Sequence, residues 1–364
     1  MNHFWITYLP SVIEVSVEVI QPWRVALTKG NCLSLVKHLV CQTVGNESGF
    51  VMKKSLCEFL MENFPKTSDA EELRSTYIAN CVFNSFLAYT AIMLNIVTIH
   101  AIRKTPSLPN TLKTLLLSLA VSDTGVGLLV QPYYISLFVK WSHQNLPGCN
   151  TYIAFSIISL SFCVASFLGV VALSVDRFLA IHLHLRYQEL VTRNRVATVV
   201  ISIWLISVIF SLMLLWLPGN VYLIITFSFG LLYLLLTTMI YIRLYLTVRR
   251  LRHQIQPAQQ IQQAVQTGEM GNFISLMKSA VGIFYVYLVF LICYLPFLTS
   301  LVALEINGPS FSLKSFLLYS WTVIYLNSSL NPVIYCWKMR HIRHAIMDIL
   351  QNMPWLRNRS SHFS

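Results

Sequence analysis

A carboxylate and several amide and hydroxyl side chains lie inside otherwise apolar stretches of this sequence. Asp123 is in one such stretch, while Asn95, Ser166, Asn331 and the run Asn327-Ser328-Ser329 are in three others. A charge at the centre of a bilayer costs on the order of 2.5–3.5 kcal/mol, so its presence in an apolar helix indicates a function. These side chains could converge on one hydrated polar centre. The alternative is a carboxylate that only ties helices together through hydrogen bonds.

An arginine stands at the end of the third apolar stretch, within Asp176-Arg177-Phe178. Its position is too deep for a loop anchor, although a long side chain can extend to the membrane surface. Asp176 can hold the guanidinium in a local ion pair. Breaking that pair would free the guanidinium for an incoming partner, so this dipeptide indicates a two-state switch.

The elements that must position these residues are apolar helices. Of the 364 residues, 55% are hydrophobic and only 11% are charged, against roughly 25% charged residues in soluble domains. A bilayer core of about 30 Å needs roughly 20 apolar residues in a helix. Seven stretches meet this requirement: 78–102, 112–137, 150–181, 196–217, 221–247, 275–304 and 313–336. The sequence predicts an all-α membrane protein, a seven-transmembrane helix bundle, with kinks at Pro132, Pro296 and Pro332.

The connections between these stretches differ in charge. Basic residues cluster in the first, third and fifth connections, and the others hold few. The positive-inside rule then places the N-terminus outside the cell, as expected of a multi-pass protein of the plasma membrane. The same placement argues against nucleic acid as the partner of the net charge of +12.

Two cytoplasmic segments have patterns of their own. The fifth connection, 248–274, is rich in glutamine and lacks apolar periodicity, which predicts a flexible loop. Residues 338–350 carry apolar side chains at helical spacing, which predicts a short amphipathic helix on the lipids of the inner leaflet.

These patterns divide the chain into three parts. They are an extracellular N-terminal segment (1–77), a transmembrane domain (78–336), and the amphipathic helix with a cytoplasmic tail (337–364). Asn46 begins an Asn-Glu-Ser triplet, which is a glycosylation acceptor. No secretory signal peptide is evident, so the first membrane span is expected to direct insertion. Part of the N-terminal segment could instead be a gene-model extension, with Met52 or Met61 as the start.

Five motifs resemble the signature of the rhodopsin-like (class A) G-protein-coupled receptors, over about residues 78–350. They are Leu119-Ala120-x-x-Asp123, Asp176-Arg177-Phe178, Trp204, Cys293-Tyr294-Leu295-Pro296 and Asn331-Pro332-Val333-Ile334-Tyr335. Each motif falls on the proper span and their order is that of the family. The resemblance implies a receptor that binds an extracellular ligand and activates a heterotrimeric G protein, and it implies no catalytic residues.

The resemblance also implies roles for single residues. Arg177, restrained by Asp176, would contact the G-protein α-subunit, and Tyr241 and Tyr335 would swing towards it on activation, Tyr335 together with Asn331-Pro332. Five residues match the family's allosteric sodium pocket: Asp123, Ser166, Asn327, Ser328 and Asn331. Sodium is the only metal implied, and no cofactor is expected.

Departures from the family pattern narrow the resemblance. The fifth span has no proline and the second outer connection is only a few residues long, as in the melanocortin, lysosphingolipid, cannabinoid and adenosine receptors, with melanocortin-like receptors nearest. Cys149 lacks its usual partner in that connection, and an N-terminal cysteine such as Cys57 could pair with it instead. Tyr294 replaces the usual tryptophan, so the common rotamer switch is expected to be altered.

The ligand site matches none of the family's familiar patterns. Tyr133, Tyr152 and Ser156 are neutral where melanocortin receptors carry acids, and Ser159 replaces the aspartate that binds amines. Tyr325 replaces the retinal lysine of opsins. The residues expected to face the outer cavity are Tyr133, Tyr134, Ser159, Cys163, Tyr294, Phe297, Leu301, Trp321 and Tyr325. An aromatic, uncharged pocket favours an amphipathic or lipid-like small molecule, with a peptide as the alternative; each aromatic could also simply pack between helices.

Two further expectations follow. An ion-coupled transporter or channel that uses Asp123 and Asn331 as an ion path is the competing function, but the sequence shows no internal repeat of the kind expected for a transporter. Leu276 stands where relatives often carry an acid that locks the arginine. Arg177 is therefore expected to be restrained by Asp176 alone, which predicts measurable signalling without ligand.

Overall fold

The architecture is that of a helical bundle. The computed structural model describes residues 56–58, 60–61, 64–106, 108–183, 187–259 and 267–351, and within these residues there is no strand. The predicted glycosylation site at Asn46 and the tail beyond 351 lie outside the described residues, as does most of the N-terminal segment.

Seven long helices and one short helix follow one another within the described residues. Their bounds are α1 (Arg74–Lys104), α2 (Asn110–Ser142), α3 (Cys149–Leu183), α4 (Arg193–Leu212), α5 (Gly219–Gln259), α6 (Thr267–Asn307), α7 (Phe311–Lys338) and α8 (Arg340–Gln351). A one-turn helix, Tyr187–Leu190, lies between α3 and α4. Because lipid offers no hydrogen-bond partners, apolar stretches of this length satisfy their backbone groups internally as helices. The predicted all-α bundle is confirmed.

The seventh helix differs in composition from the others. Within the described residues, six helices are long and apolar enough to cross a membrane, namely α1 to α6. Helix α7 is 28 residues long but carries Asn327, Ser328 and Asn331, which face the bundle interior and are buried. Its lower hydropathy therefore reflects a polar face that is turned away from lipid.

Helix α2 is irregular near its middle. Residues Val126–Val130 form a π-helical turn, so Pro132 sits within the first two positions of the following α-helical part, where its missing N–H is tolerated. Gly127 lies against α1, and a Cβ atom there would meet the Ala88 carbonyl oxygen at 3.1 Å. The irregularity expected from Pro132 thus takes the form of a π turn just before it.

The predicted loop at 248–274 is wrong in extent. Helix α5 continues to Gln259 and α6 begins at Thr267, so helix occupies most of that range. Gln and Arg are good helix formers, and extending an existing helix avoids the cost of nucleation. The lack of apolar periodicity over 248–259 and 267–274 therefore did not indicate a loop.

Helices α3 and α7 organise the packing. Helix α3 contacts α2, α4, α5 and α6, and α7 contacts α1, α2 and α6. The short helix α8 packs against α1 and α7, with Ile342 and Ile346 buried and His341 and His344 exposed. Its two faces match the amphipathic helix expected here. We call the end of the bundle at which α1 begins the N-terminal end, and the end at which α7 meets α8 the C-terminal end.

Candidate functional site: a polar centre between two bundle ends

Asp123 lies at the centre of the bundle and is fully buried. The Asn331 side-chain amide donates to its Oδ2 at 2.8 Å, and the Ser166 and Ser328 side chains face the same carboxylate. Asn95 donates to the Ser328 backbone carbonyl at 2.8 Å. Four helices, α1, α2, α3 and α7, therefore meet at the polar centre that the sequence suggested.

Several oxygens at this centre have free acceptor capacity. Oδ1 of Asp123, Oδ1 of Asn327 and Oδ1 of Asn331 are buried and accept no hydrogen bond. A buried acceptor without a partner costs about 1–3 kcal/mol. Free carboxylate and amide oxygens are also the ligands that a hard cation prefers, so these residues fit a small cation.

Arg177 is held at the C-terminal end of α3. Its Nε donates to Asp176 Oδ2 at 2.9 Å, its Nη2 contacts the same oxygen, and both residues are buried. The Tyr187 hydroxyl donates to the other carboxylate oxygen at 2.5 Å and lies 2.9 Å from the Thr111 hydroxyl. Tyr187 was missed in the sequence because it follows α3 in a connection with no apolar pattern.

Tyr187 keeps its proton across the physiological range. Burial, together with the negative charge of Asp176, raises the pKa of the Tyr187 phenol to about 12. The phenol therefore remains a donor to Asp176 at any pH that a cell meets.

Tyr241 joins three helices near the same end. Its hydroxyl lies 2.7 Å from the Ser174 hydroxyl on α3 and donates to the Ile283 carbonyl on α6 at 3.1 Å. Its ring stacks on Tyr287 with centroids 4.7 Å apart. Tyr335 on α7 is also buried, and its hydroxyl has no hydrogen-bond partner.

A cation–π contact connects α6 to the end of α7. The Lys338 ammonium lies 3.9 Å from the centroid of the Tyr285 ring and 3.4 Å from that of Trp337. Gly282 permits this approach, because a Cβ atom there would meet the Lys338 Cβ at 3.3 Å. This contact was not predicted, because Lys338 stands out in the sequence only as part of the amphipathic segment.

The residues expected to face the outer cavity pack together towards the N-terminal end. Tyr134 and Tyr325 are fully buried with ring centroids 5.5 Å apart, and the Tyr325 and Ser159 hydroxyls are 2.9 Å apart. Trp321 lies 5.9 Å from Tyr325 and 4.7 Å from Phe297. These side chains form one aromatic cluster with a buried floor.

Four of the nine residues predicted to face the outer cavity remain, namely Tyr133, Cys163, Tyr294 and Leu301. Tyr133 and Leu301 are half-buried, and the Tyr133 hydroxyl donates to the Thr151 carbonyl at 3.1 Å. Cys163 faces Tyr294. The Tyr294 ring stacks on Phe290 at 4.0 Å, so Tyr294 connects Cys163 to the aromatic core.

One aromatic residue at the heart of the cluster was missed. Phe155 stacks on Tyr134 at 5.4 Å and on Tyr133 at 5.8 Å, and its ring meets Trp321 edge-on at 6.2 Å. It lies four residues before Ser159 on α3, so one helical turn from a predicted pocket residue could have pointed to it.

A segment before α1 packs on the N-terminal end. Cys57 forms a disulfide with Cys149, with Cα atoms 5.5 Å apart, which settles the pairing that the sequence left open. The Phe64 ring stacks on Tyr152 at 4.6 Å. Leu56 and Leu60 are buried in the same core.

An ion pair fixes the end of this segment. The Lys314 ammonium on α7 donates to Asp69 Oδ2 at 2.5 Å, and the Lys66 backbone N–H donates to the same oxygen at 2.9 Å. Burial alone would raise the pKa of the Asp69 carboxyl, but these hydrogen bonds and the charge of Lys314 hold it below its ordinary value of 3.8. Both charged side chains are buried.

Known proteins share this sequence pattern. The model of the seven-transmembrane receptors of the rhodopsin family matches residues 94–221 and 216–335. The histamine H2 receptor of Canis lupus familiaris is 27% identical over 71% of this chain and 76% of its own length, and that of Homo sapiens is 28% identical over 74% and 77%. The adenosine receptor A2a of Canis lupus familiaris is 24% identical over 73% of this chain and 70% of its own length.

The family match covers more than half of the chain and both halves of the bundle. It supports the receptor over the transporter or channel alternative, and it fits the predicted likeness to adenosine receptors, whereas the melanocortin-like placement stays a prediction. The chain belongs to the rhodopsin family of seven-transmembrane receptors, so it is a multi-pass plasma-membrane protein that couples to G proteins and not an enzyme.

Proposed function

We propose that a ligand bound in the aromatic cluster at the N-terminal end releases Arg177 at the C-terminal end, where the guanidinium contacts the α-subunit of a heterotrimeric G protein. The observation that carries this proposal is a series of side-chain contacts on α3, α5 and α6 that lie between the two sites. Cys163 faces Tyr294, Tyr294 stacks on Phe290, and one turn further along α6 lies Tyr287, which stacks on Tyr241.

This series ends beside the arginine. The hydroxyl of Tyr241 lies 2.7 Å from that of Ser174, three residues before Arg177 on the same helix. A ligand that binds the open arrangement better than the closed one would shift the equilibrium between them. Tyr294 takes the place of a tryptophan in this series, so a smaller ring transmits the shift.

The ligand we propose is a small uncharged molecule. None of the nine residues predicted to face the outer cavity is an aspartate, glutamate, histidine, lysine or arginine. An amine such as histamine requires a carboxylate partner when desolvated, and Ser159 is paired with Tyr325 instead. We therefore do not propose histamine for this chain, although similar receptors carry that name.

The N-terminal end is proposed to face the cell exterior. Basic residues cluster in the connections at the C-terminal end, as the positive-inside rule requires of the cytoplasmic side. The Cys57–Cys149 disulfide lies at the opposite end, and disulfides persist in oxidising, extracellular surroundings. Charge and redox chemistry therefore favour the same orientation.

Sodium is proposed as an allosteric ion at the central site. Asp123, Ser166, Asn327, Ser328 and Asn331 would hold it, since the free oxygens of Asp123, Asn327 and Asn331 suit a hard cation. Bound sodium would stabilise the closed bundle. Exchanging sodium for choline at constant ionic strength should lower the unfolding temperature in lipid nanodiscs, because a ligand of the folded state stabilises it. Asp123→Asn should abolish this difference; a difference that survives would place the ion elsewhere.

The proposed coupling is tested by nucleotide exchange on purified G proteins. Membranes containing the receptor are screened with uncharged, cationic and lipid-like ligands, and the active ligand is then applied to Arg177→Ala. We expect loss of exchange in this variant and normal exchange in Arg193→Ala, which removes an exposed arginine near the same end. Exchange that is unchanged in Arg177→Ala at equal surface expression would refute the mechanism.

A further inference from the structure

The segment that precedes α1 crosses the N-terminal end of the bundle. We call the described residues between Leu56 and Leu73 the strap. Cys57 ties it to the first residue of α3, and Asp69 ties it to Lys314 near the start of α7. The strap then enters α1 at Arg74. It is therefore fixed to three helices, once covalently and once by a buried ion pair.

Phe64 is the strap residue that reaches the aromatic cluster. Only 8% of its surface is exposed, and its ring lies 4.6 Å from Tyr152, 5.9 Å from Trp141 and 6.4 Å from Phe155. Phe155 in turn stacks on Tyr134 within the cluster. The Phe64 ring therefore packs against the side of the aromatic cluster that α2 and α3 form.

The fixed ends of the strap limit how far this ring can move. Shifting Phe64 outwards would strain a chain that is anchored seven residues earlier and five residues later, at Cys57 and Asp69. The charges of the described strap residues are also kept away from the cluster, since Asp69 is neutralised by Lys314. The other charged side chains are exposed, namely Glu58, Lys66, Glu71 and Glu72. The strap therefore presents a rigid, uncharged face.

We propose that Phe64 is a specificity-determining residue of the receptor, forming the end wall of the ligand pocket between α2 and α3. With this wall in place the pocket accepts small uncharged molecules and rejects bulky or charged ones. The inference rests on the proposed function, because it assumes that the aromatic cluster is the ligand site. A residue that only stabilises the fold would affect stability without changing which molecules enter.

The rate at which thiol reagents modify Cys163 tests whether Phe64 forms this wall, and the test needs no known ligand. Cys163 lies eight residues after Phe155 on α3, about 12 Å deeper at the helical rise, and it is a buried free cysteine. Its thiol can be modified by methyl methanethiosulfonate, which is small and uncharged, or by the trimethylammonium-ethyl reagent, which is larger and cationic. Reaction at other cysteines is removed by subtracting the rate of Cys163→Ser.

The expected result is a change in selectivity between the two reagents. In the unaltered receptor the small reagent should modify Cys163 and the cationic reagent should not. In Phe64→Ala the rate with the cationic reagent should rise at least about tenfold, because the barrier to entry falls when the ring is gone. Met61→Ala, an exposed position of the same strap, should behave as the unaltered receptor.

Two results would overturn the proposal. One is that the cationic reagent modifies Cys163 at the same rate in Phe64→Ala and in the unaltered receptor. The other is that neither reagent modifies Cys163 in Phe64→Ala. Should Phe64→Ala fail to fold, Phe64→Leu applies the same test with a smaller wall. Labelling needs no G protein, so loss of coupling in the exchange assay leaves this result independent.

Discussion

The two ends of the bundle are closed in different ways. At the N-terminal end a disulfide joins Cys57 to Cys149, a buried ion pair joins Asp69 to Lys314, and Phe64 packs among fixed aromatic rings. At the C-terminal end the contacts are hydrogen bonds of tyrosine hydroxyls, the Asp176–Arg177 pair and the Lys338 cation–π contact. The contacts at the N-terminal end hold permanently, whereas each contact at the C-terminal end can be broken by itself.

This difference suits a receptor that must hold one end while moving the other. A net hydrogen bond contributes about 0.5–1.5 kcal/mol and an exposed cation–π contact about 0.5–1 kcal/mol. Moving an equilibrium from 1:99 to 99:1 needs about 5.5 kcal/mol of differential binding. The binding energy of one ligand can therefore break a few such contacts at the C-terminal end, whereas it cannot break a covalent bond.

The largest expected effect is at the disulfide. Replacing both Cys57 and Cys149 by Ser releases a cross-link between residues 92 positions apart, which should cost about 4 kcal/mol and lower the unfolding temperature by on the order of 10 °C. Thermal unfolding in nanodiscs measures this loss, and treatment of the unaltered protein with reductant should reproduce it. Cys81→Ser removes a free cysteine of α1 and should leave the unfolding temperature unchanged. An equal loss of stability in Cys81→Ser would show that the disulfide is not the source of the effect.

The ion pair should have the next largest effect. Lys314→Met leaves the Asp69 carboxylate buried without its partner, at a cost of about 3 kcal/mol, and Asp69→Asn in the same chain should restore most of it. Lys140→Met, at an exposed lysine of the same end, is the matched control. If the double variant were no more stable than Lys314→Met alone, the pairing of Asp69 with Lys314 would be contradicted.

The same pair predicts a pH dependence with a definite sign. The pKa of the Asp69 carboxyl is held below its ordinary value of 3.8 by the bonds from Lys314 and Lys66. A depressed carboxyl pKa stabilises the fold above the unfolded value, and this stability is lost as the pH falls through the folded value. The contribution of the pair, measured against the uncharged double variant Asp69→Asn with Lys314→Met, should therefore be constant from about pH 7 to pH 5 and shrink only below about pH 4.

The sequence anticipated the centre of the molecule better than its ends. Asp123, Arg177 and Asn331 could be recognised because a buried polar residue is conspicuous in an apolar helix. The Asp69–Lys314 pair spans 245 positions, and no periodicity relates two such distant residues. Phe64 and Lys338 were missed for a related reason, since their partners lie on other helices and their own neighbours show no pattern.

Removing the Tyr187 hydroxyl at the C-terminal end should have a smaller effect than breaking the disulfide or the ion pair. Tyr187→Phe keeps the ring but removes the hydroxyl that donates to Asp176, so Asp176 is held less firmly against Arg177. We expect ligand-free nucleotide exchange to rise about fivefold, the change that 1 kcal/mol represents. Tyr245→Phe, at an exposed tyrosine of α5, should leave exchange unchanged. Because the pKa of Tyr187 is about 12, the effect should not vary between pH 6 and pH 8.

The smallest expected effect concerns the contact between α6 and α7. Lys338→Met removes the ammonium that lies over Tyr285 and should raise ligand-free exchange about two- to fivefold, the range expected for an exposed cation–π contact. Tyr285→Leu should give the same rise, the double variant no more than either alone, and Lys338→Arg little change because it keeps the cation. A rise in Lys338→Met that adds fully to that of Tyr285→Leu would mean that the two side chains act separately. In that case the C-terminal end would be held by the Tyr241 and Arg177 contacts alone, and the contrast with the strapped N-terminal end would be greater still.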